Sequence, residues 1–127
     1  MRQREPLRVL LVDDDPDLLA MLQALVPGPT LEVVGLASNG EDAVRVASTI
    51  DPDVAVVDYM MPGIDGFETA HRIKAARPRC LILIFSALDL SIECAEHPDV
   101  DRFLRKSDVG RLDEILADLE SEHRTSS

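Results

Sequence analysis

Apolar residues in this chain fall into short runs, separated by longer stretches in which they recur every three or four positions. Four runs stand out: Val9 to Val12, Leu31 to Leu36, Val54 to Val57 and Leu81 to Phe85. All but one are continuous rather than alternating, as strands buried on both faces are when helices cover a parallel sheet above and below. The intervening stretches have helix period and recognisable starts. Asp15 ahead of Pro16 offers a side-chain acceptor and a first-turn proline, and Leu18, Leu19, Leu22, Leu25 and Val26 then form one apolar stripe. Ser38 with Glu41 has capping-box spacing ahead of Ala43, Val44, Ala47 and Ile50. Asp65 with Glu68 repeats that spacing and opens a helix through Phe67, Ala70, Ile73 and Lys74 that ends before Pro78.

The final third predicts a short helix within residues 88 to 96, a fifth strand over Arg102 to Arg105, and a last helix from Leu112 to Glu122 with Leu112, Ile115, Leu116 and Leu119 inward. Pro98 forbids a long fourth helix. Strand and helix thus alternate five times, and right-handed crossovers turn that order into a doubly wound α/β fold, a five-stranded parallel sheet with helices on both faces. One domain is expected over residues 1–123, followed by a polar tail over 124–127. Sheets of this kind bind ligands beyond the carboxyl ends of their strands, where the strand order reverses.

Composition narrows the function classes. With 127 residues, 46% of them hydrophobic, the chain can offset the ordering entropy of one domain and has no room for a second. Thirteen basic residues against 24 acidic ones leave a net charge of −11, which repels phosphate backbones and anionic lipid heads. Aromatic residues make up 3% and tryptophan is absent, so there is no stacking platform for bases. Neither direct nucleic-acid binding nor membrane binding is expected. Cys80 and Cys94 have neither CxxC spacing nor a histidine pair nearby, which suits a reducing cytoplasm better than a zinc site or disulfide scaffold. The stretch from Leu7 to Val12, interrupted by Arg8, is too short and too charged for a signal-peptide core.

The residues that follow the strands carry the chemistry. The first strand runs into Asp13-Asp14-Asp15, where Asp15 suits a helix cap, and the third runs directly into Asp58. Three carboxylates at one sheet edge repel one another by roughly 1 kcal/mol or more per pair at intermediate dielectric. A hard divalent cation relieves this, and Mg2+ fits best because it takes a few carboxylates plus waters and leaves positions open for phosphate oxygens. Ser86 ends the fourth strand and Lys106 follows the fifth. Either alone reads as a turn residue or a solvated charge. Together beside a metal-bound carboxylate they supply a hydroxyl donor and an ammonium for a phosphoryl group, which a nucleophilic Asp would carry as an acyl phosphate.

The string Asp58-Tyr59-Met60-Met61-Pro62-Gly63-Ile64-Asp65-Gly66, with the acidic cluster upstream and Ser86 and Lys106 downstream, resembles the receiver domain of bacterial two-component response regulators over nearly the whole chain. The resemblance implies a flavodoxin-like fold, with Asp58 as phosphoacceptor, Asp14 as direct and Asp13 as outer metal ligand, and the backbone carbonyl of Met60 completing the protein ligands of Mg2+. It implies that Ser86 bonds the phosphoryl oxygen, that Lys106 neutralises its charge, and that Phe103 holds the aromatic switch position, where packing is an equally good reading. The implied donor is a sensor histidine kinase or phosphotransfer protein, and the implied output is an altered contact with a downstream protein or a phosphorylation-dependent homodimer. Such a domain is not an enzyme on other substrates; it catalyses only its own phosphorylation and dephosphorylation. Met60 and Leu88 occupy positions that in the family help to orient attacking water. Neither side chain can do so, which implies slow self-dephosphorylation.

Three departures stand out. Lys106 is followed by Ser107 where many receivers have proline, and a cis bond at that peptide costs roughly 3 kcal/mol more than for proline. The stretch Ala95 to Asp101 replaces a small Gly/Ala-rich turn, and only Arg124-Thr125-Ser126-Ser127 follow the last helix. Two alternatives stay open: a phosphorylation-independent interaction module on the same fold, and an Asp-nucleophile phosphatase of the haloacid-dehalogenase type, whose Asp-x-Asp-x-Thr/Val pattern Asp13 to Asp17 half matches. His71, His97 and His123 read as surface residues without partner spacing.

Overall fold

The computed structural model describes residues 5–126; the remaining residues of the expected domain and tail lie outside these bounds. Five strands, β1 (Leu7–Val12), β2 (Leu31–Ala37), β3 (Val54–Val57), β4 (Leu81–Ser86) and β5 (Arg102–Arg105), alternate with helices α1 (Pro16–Leu25), α2 (Gly40–Ile50), α3 (Gly66–Ala76), α4 (Ser91–Glu96) and α5 (Leu112–Ser126). A 3-10 turn over Lys106–Arg111 leads into α5. The strands pair in parallel in the order β2-β1-β3-β4-β5. The order reverses at β1, between β2 and β3.

The unbroken apolar runs are explained by two separate cores. Leu7, Val9 and Leu11 of β1 face Leu22 and Val26 of the α1 region together with Leu112, Leu116 and Leu119 of α5. Leu10 and Val12 face the opposite layer, with Ala43 and Ala47 of α2, Ala70 and Ile73 of α3, and Cys94 of α4. In the central strands β3 and β4 the side chains meet a helix whichever way the pleat points them, so few positions there favour a polar residue. Strand β2 lies at the sheet edge, and its weaker pattern matches its burial: Glu32 and Leu36 are exposed and only Ala37 is fully buried. Cys80 and Cys94 are free and buried, and burial pushes their thiols up to about 12 and about 11. They act as small apolar core residues.

Several local expectations change. The cap of α2 is Asn39, not Ser38: Asn39 Oδ1 accepts from Asp42 N at 2.8 Å, and its Nδ2 donates to Asp42 Oδ2 at 3.2 Å. Leu25 is 49% exposed and lies outside the α1 stripe. Helix α5 continues to Ser126, so residues 124–126 are a helical end rather than a tail; Arg124 bonds Glu120 one turn back and the Glu5 carbonyl. The fourth helix has six residues, as Pro98 requires. No cis peptide bond occurs among the described residues.

Helices α2 and α3 approach closely at Gly40, where a Cβ would lie 2.2 Å from Thr69 Oγ1 and 2.4 Å from Ile64. Thr69 is fully buried, its hydroxyl donating to the Asp65 carbonyl at 2.7 Å, so the neighbour cannot yield. Gly40→Ala is expected to destabilise the fold by about 1–3 kcal/mol. Gly28→Ala, where a Cβ meets nothing within 4 Å, is expected to be neutral or slightly stabilising. Urea denaturation of the two variants side by side checks the contrast.

Candidate phosphoacceptor site

Strands β1 and β3 are neighbours with Val12 opposite Val57, so the residue after each run emerges at the same edge, at the point where strand order reverses. Asp58 N–H donates to the Val12 carbonyl at 2.9 Å and Asp13 N–H to the Ala37 carbonyl at 3.1 Å, which fixes both backbones. Asp13 and Asp58 are 1% and 5% exposed, whereas Asp14 is open to solvent. One carboxylate oxygen from each of the three lies within 4.8 Å of the others. From the far side of the sheet Lys106 extends its ammonium to Asp13 Oδ2 at 2.9 Å and Asp58 Oδ1 at 3.3 Å. Its Nζ stands 6.0 Å from the centroid of the Phe85 ring, within cation–π range.

Charge in this cluster does not balance. Burial, followed by repulsion from Asp13 and Asp14, pushes the Asp58 carboxyl up to about 6 even though Lys106 pulls it down. Burial also opposes the Lys106 charge, but its hydrogen bond to Asp13 and the attraction of Asp58 outweigh that and raise its pKa. One ammonium therefore stands against three carboxylates and reaches two of them. The donor set is all oxygen and anionic, with Asp14 on the wet side, and it fits a hard divalent cation that keeps some of its waters. Asp14, Met60 and Met61 line the open mouth, a cavity of about 440 Å3.

The other expected residues sit nearby without joining the cluster. Ser86 is buried at the end of β4 and its Oγ accepts from Leu88 N at 3.1 Å, a turn bond that leaves the O–H able to donate. Among the described residues no hydrogen bond links it to Asp58. Phe103 is half-buried and packs on the α2–α3–α4 core. Met60 and Leu88 are exposed at 64% and 45%. Asp15 is a cap, its Oδ1 accepting from Asp17 N at 2.9 Å and Leu18 N at 3.4 Å. The second carboxylate of the phosphatase pattern is thus committed to a helix end.

Two contributors were missed in the sequence. Phe85 supports Lys106, and Gly66 lets α3 begin against the Asp58–Tyr59 segment: a Cβ there would lie 2.7 Å from the Asp58 carbonyl oxygen and from Tyr59 Cα. Gly66 closes the string that carries the receiver-domain resemblance, but its close approach to the Asp58 backbone is not visible in the sequence. The histidines, read as unpartnered, each have a partner: His71 Nδ1 lies 3.0 Å from Asp99, His123 Nε2 3.2 Å from Asp53, and His97 packs on Phe67.

A parallel five-stranded sheet with a buried Asp, two further carboxylates and a lysine at its switch point defines a class of phosphoacceptor signalling domain, and comparison with known proteins agrees. The profile of the response regulator receiver domain matches residues 9–119, and the chain belongs to that family. It is 34% identical over 123 residues to the nitrate/nitrite response regulator protein NarL of Escherichia coli K12, covering 96% of this chain and 53% of that protein. It is 38% identical over 116 residues to a protein-glutamate methylesterase/protein-glutamine glutaminase of Myxococcus xanthus, covering 91% of this chain and 31% of that one. The chain thus spans about half or less of the length of these curated relatives. Among solved structures, the receiver domain of AraT from Geobacillus stearothermophilus superposes with a TM-score of 0.83 at 26% identity, covering 94% of this chain and 96% of that one. The Mg2+–BeF complex of the response regulator TrrA from Thermotoga maritima gives 0.78 at 27%, covering 88% and 97%. Among the described residues no helix is long and apolar enough to cross a membrane.

The raised Asp58 carboxyl links stability to pH. An unfolded Asp loses its proton near 3.8, the folded one near 6, so between these values the folded chain holds the extra proton and stability falls as pH rises. Above about 6 the penalty is constant. Asp58→Asn removes it, and in chelator at pH 7.5 the variant is expected to be more stable than wild type by about 1–3 kcal/mol. That gain should vanish near pH 4. Urea melts across this range check it, and a gain independent of pH would contradict it.

Proposed function

We propose that Asp58 accepts a phosphoryl group from the phosphohistidine of a sensor kinase or phosphotransfer protein, and that the modification switches contact with a downstream protein or with a second copy of the chain. A carboxylate oxygen of Asp58 attacks phosphorus as the P–N bond breaks, and the electron pair of that bond leaves with the histidine nitrogen. Asp13, Asp14, Asp58 and the Met60 carbonyl would hold Mg2+, which when bound offsets the charge on the phosphoryl oxygens. Lys106, already bonded to Asp13 and Asp58, has only to redirect its ammonium to a phosphoryl oxygen, and Ser86 donates its O–H to another. Transfer replaces a carboxylate of one charge with a phosphoryl group carrying close to two, spread over three oxygens, enough to draw Lys106 and the β4 end inward. The observation that carries this reading is the convergence of buried Asp58, two further carboxylates and Lys106 at the switch point. A cytoplasmic setting follows from the class of donor. The only catalysis assigned to the chain is its own modification and its reversal.

Incubation with Mg2+ and acetyl phosphate followed by intact-mass measurement is expected to show one added phosphoryl group, absent from Asp58→Asn. Labelling of that variant at similar yield would place the nucleophile elsewhere. In Mg2+ titrations Asp14→Ala should lose affinity and Asp15→Ala should keep it, since Asp15 is tied to the helix cap; equal loss would contradict the ligand assignment.

Met60 and Leu88 bear on the lifetime of the product. A thioether and a hydrocarbon cannot orient water and can shield an acyl phosphate. The phosphorylated chain is expected to decay slowly, and Met60→Asn or Leu88→Glu to hasten decay. Time-resolved intact mass checks this, and variants that decay no faster would contradict it.

A further inference from the structure

A second concave surface lies between the first turns of α3 and the loop after α4. Phe67, His97 and Pro98 form its floor and Asp65, Glu68 and Asp99 its rim, around an open volume of about 470 Å3. The Phe67 and His97 rings pack with centroids 4.6 Å apart and planes inclined by 30°. His97 Nδ1 accepts from the Asp99 backbone N–H at 3.2 Å, which ties the ring to the rim.

Each rim carboxylate commits one oxygen locally. Asp65 Oδ1 accepts from Glu68 N at 2.9 Å, Glu68 Oε2 from Arg72 Nε at 2.8 Å, and Asp99 Oδ2 pairs with His71 Nδ1 at 3.0 Å. Among the described residues the second oxygen of each has no hydrogen-bond partner. All three residues are partly exposed, and the Glu68 side chain keeps 45% of its surface open to solvent. Acceptors above an aromatic floor match a planar guanidinium, which stacks on rings and donates in a fork to carboxylates; an ammonium does neither as well.

The charge pattern decides among occupants. Phosphate-bearing ligands and anionic lipid are repelled by the rim and by the net charge of −11. A second copy of this chain carries the same net charge, and several of its exposed arginines are paired internally: Arg45 with Asp42, Arg72 with Glu68 and Arg111 with Glu114. We propose that this groove docks an arginine-bearing segment of a partner protein, with the guanidinium on the Phe67–His97 stack between Glu68 and Asp99. The assignment does not depend on phosphorylation of Asp58.

The test is titration of the 15N-labelled chain with a short blocked peptide of one arginine flanked by leucines, and with the same peptide carrying citrulline, which keeps the shape and loses the charge. Amide shifts are expected to concentrate at residues 64–71 and 97–99, with affinity falling roughly tenfold for citrulline. The double variant Glu68→Gln, Asp99→Asn should show a similar loss, while Glu114→Gln on α5 stays within about twofold. The citrulline comparison needs no variant and stands if the double variant folds poorly. Absence of shifts at millimolar peptide, shifts spread over the acids of α2 and α5 or centred on Asp13 and Asp58, or equal binding of the citrulline peptide would overturn the proposal.

Discussion

A deficit of positive charge at the edge of the sheet organises this molecule. Asp13 and Asp58 are nearly sealed from water, Asp14 stands beside them, and the single ammonium of Lys106 reaches two of the three. A buried carboxylate left so poorly compensated would ordinarily be selected against, because its charge weakens the fold. Here the imbalance is one that a hard divalent cation would relieve. The fold tolerates the unfavourable charge because two apolar cores lie beneath the site.

Those cores also explain how the carboxylates come to be neighbours. Parallel pairing of β1 with β3 in register brings Val12 level with Val57, and the residues that follow cannot avoid one another. Helix α3 is then held close by Gly66, whose N–H donates to the Tyr59 carbonyl at 2.8 Å. Gly40 performs the same service one layer out, where α2 meets α3. Two glycines with no turn to make are thus explained by approach distance alone.

The face beyond β4 departs from what a longer fourth helix would present. Pro98 ends regular structure early, and the freed loop turns His97 onto Phe67 and Asp99 toward His71. Tyr59, directly after Asp58, packs edge-on against Phe67 at 4.9 Å, so an aromatic row runs from the carboxylate segment to the acidic groove.

Strand positions, the doubly wound order and the edge carrying the acids were all legible in the sequence. Continuous apolar runs and the residue after each are local features, and crossover handedness supplies the rest. Asp13, Asp58 and Ser86 could be nominated because each directly follows an apolar run, and Asp14 and Lys106 because they stand at the same strand ends. Tertiary structure alone decided that Lys106 bonds Asp13 more closely than Asp58, that Ser86 turns its oxygen to Leu88, and that Asn39 rather than Ser38 caps α2. It also decided the histidine partners and the reach of α5 to Ser126. These outcomes rest on where long or rotatable side chains end after the backbone is packed. Ångström differences between elements distant in sequence select among partners of the same chemistry, and residue order does not encode such differences locally.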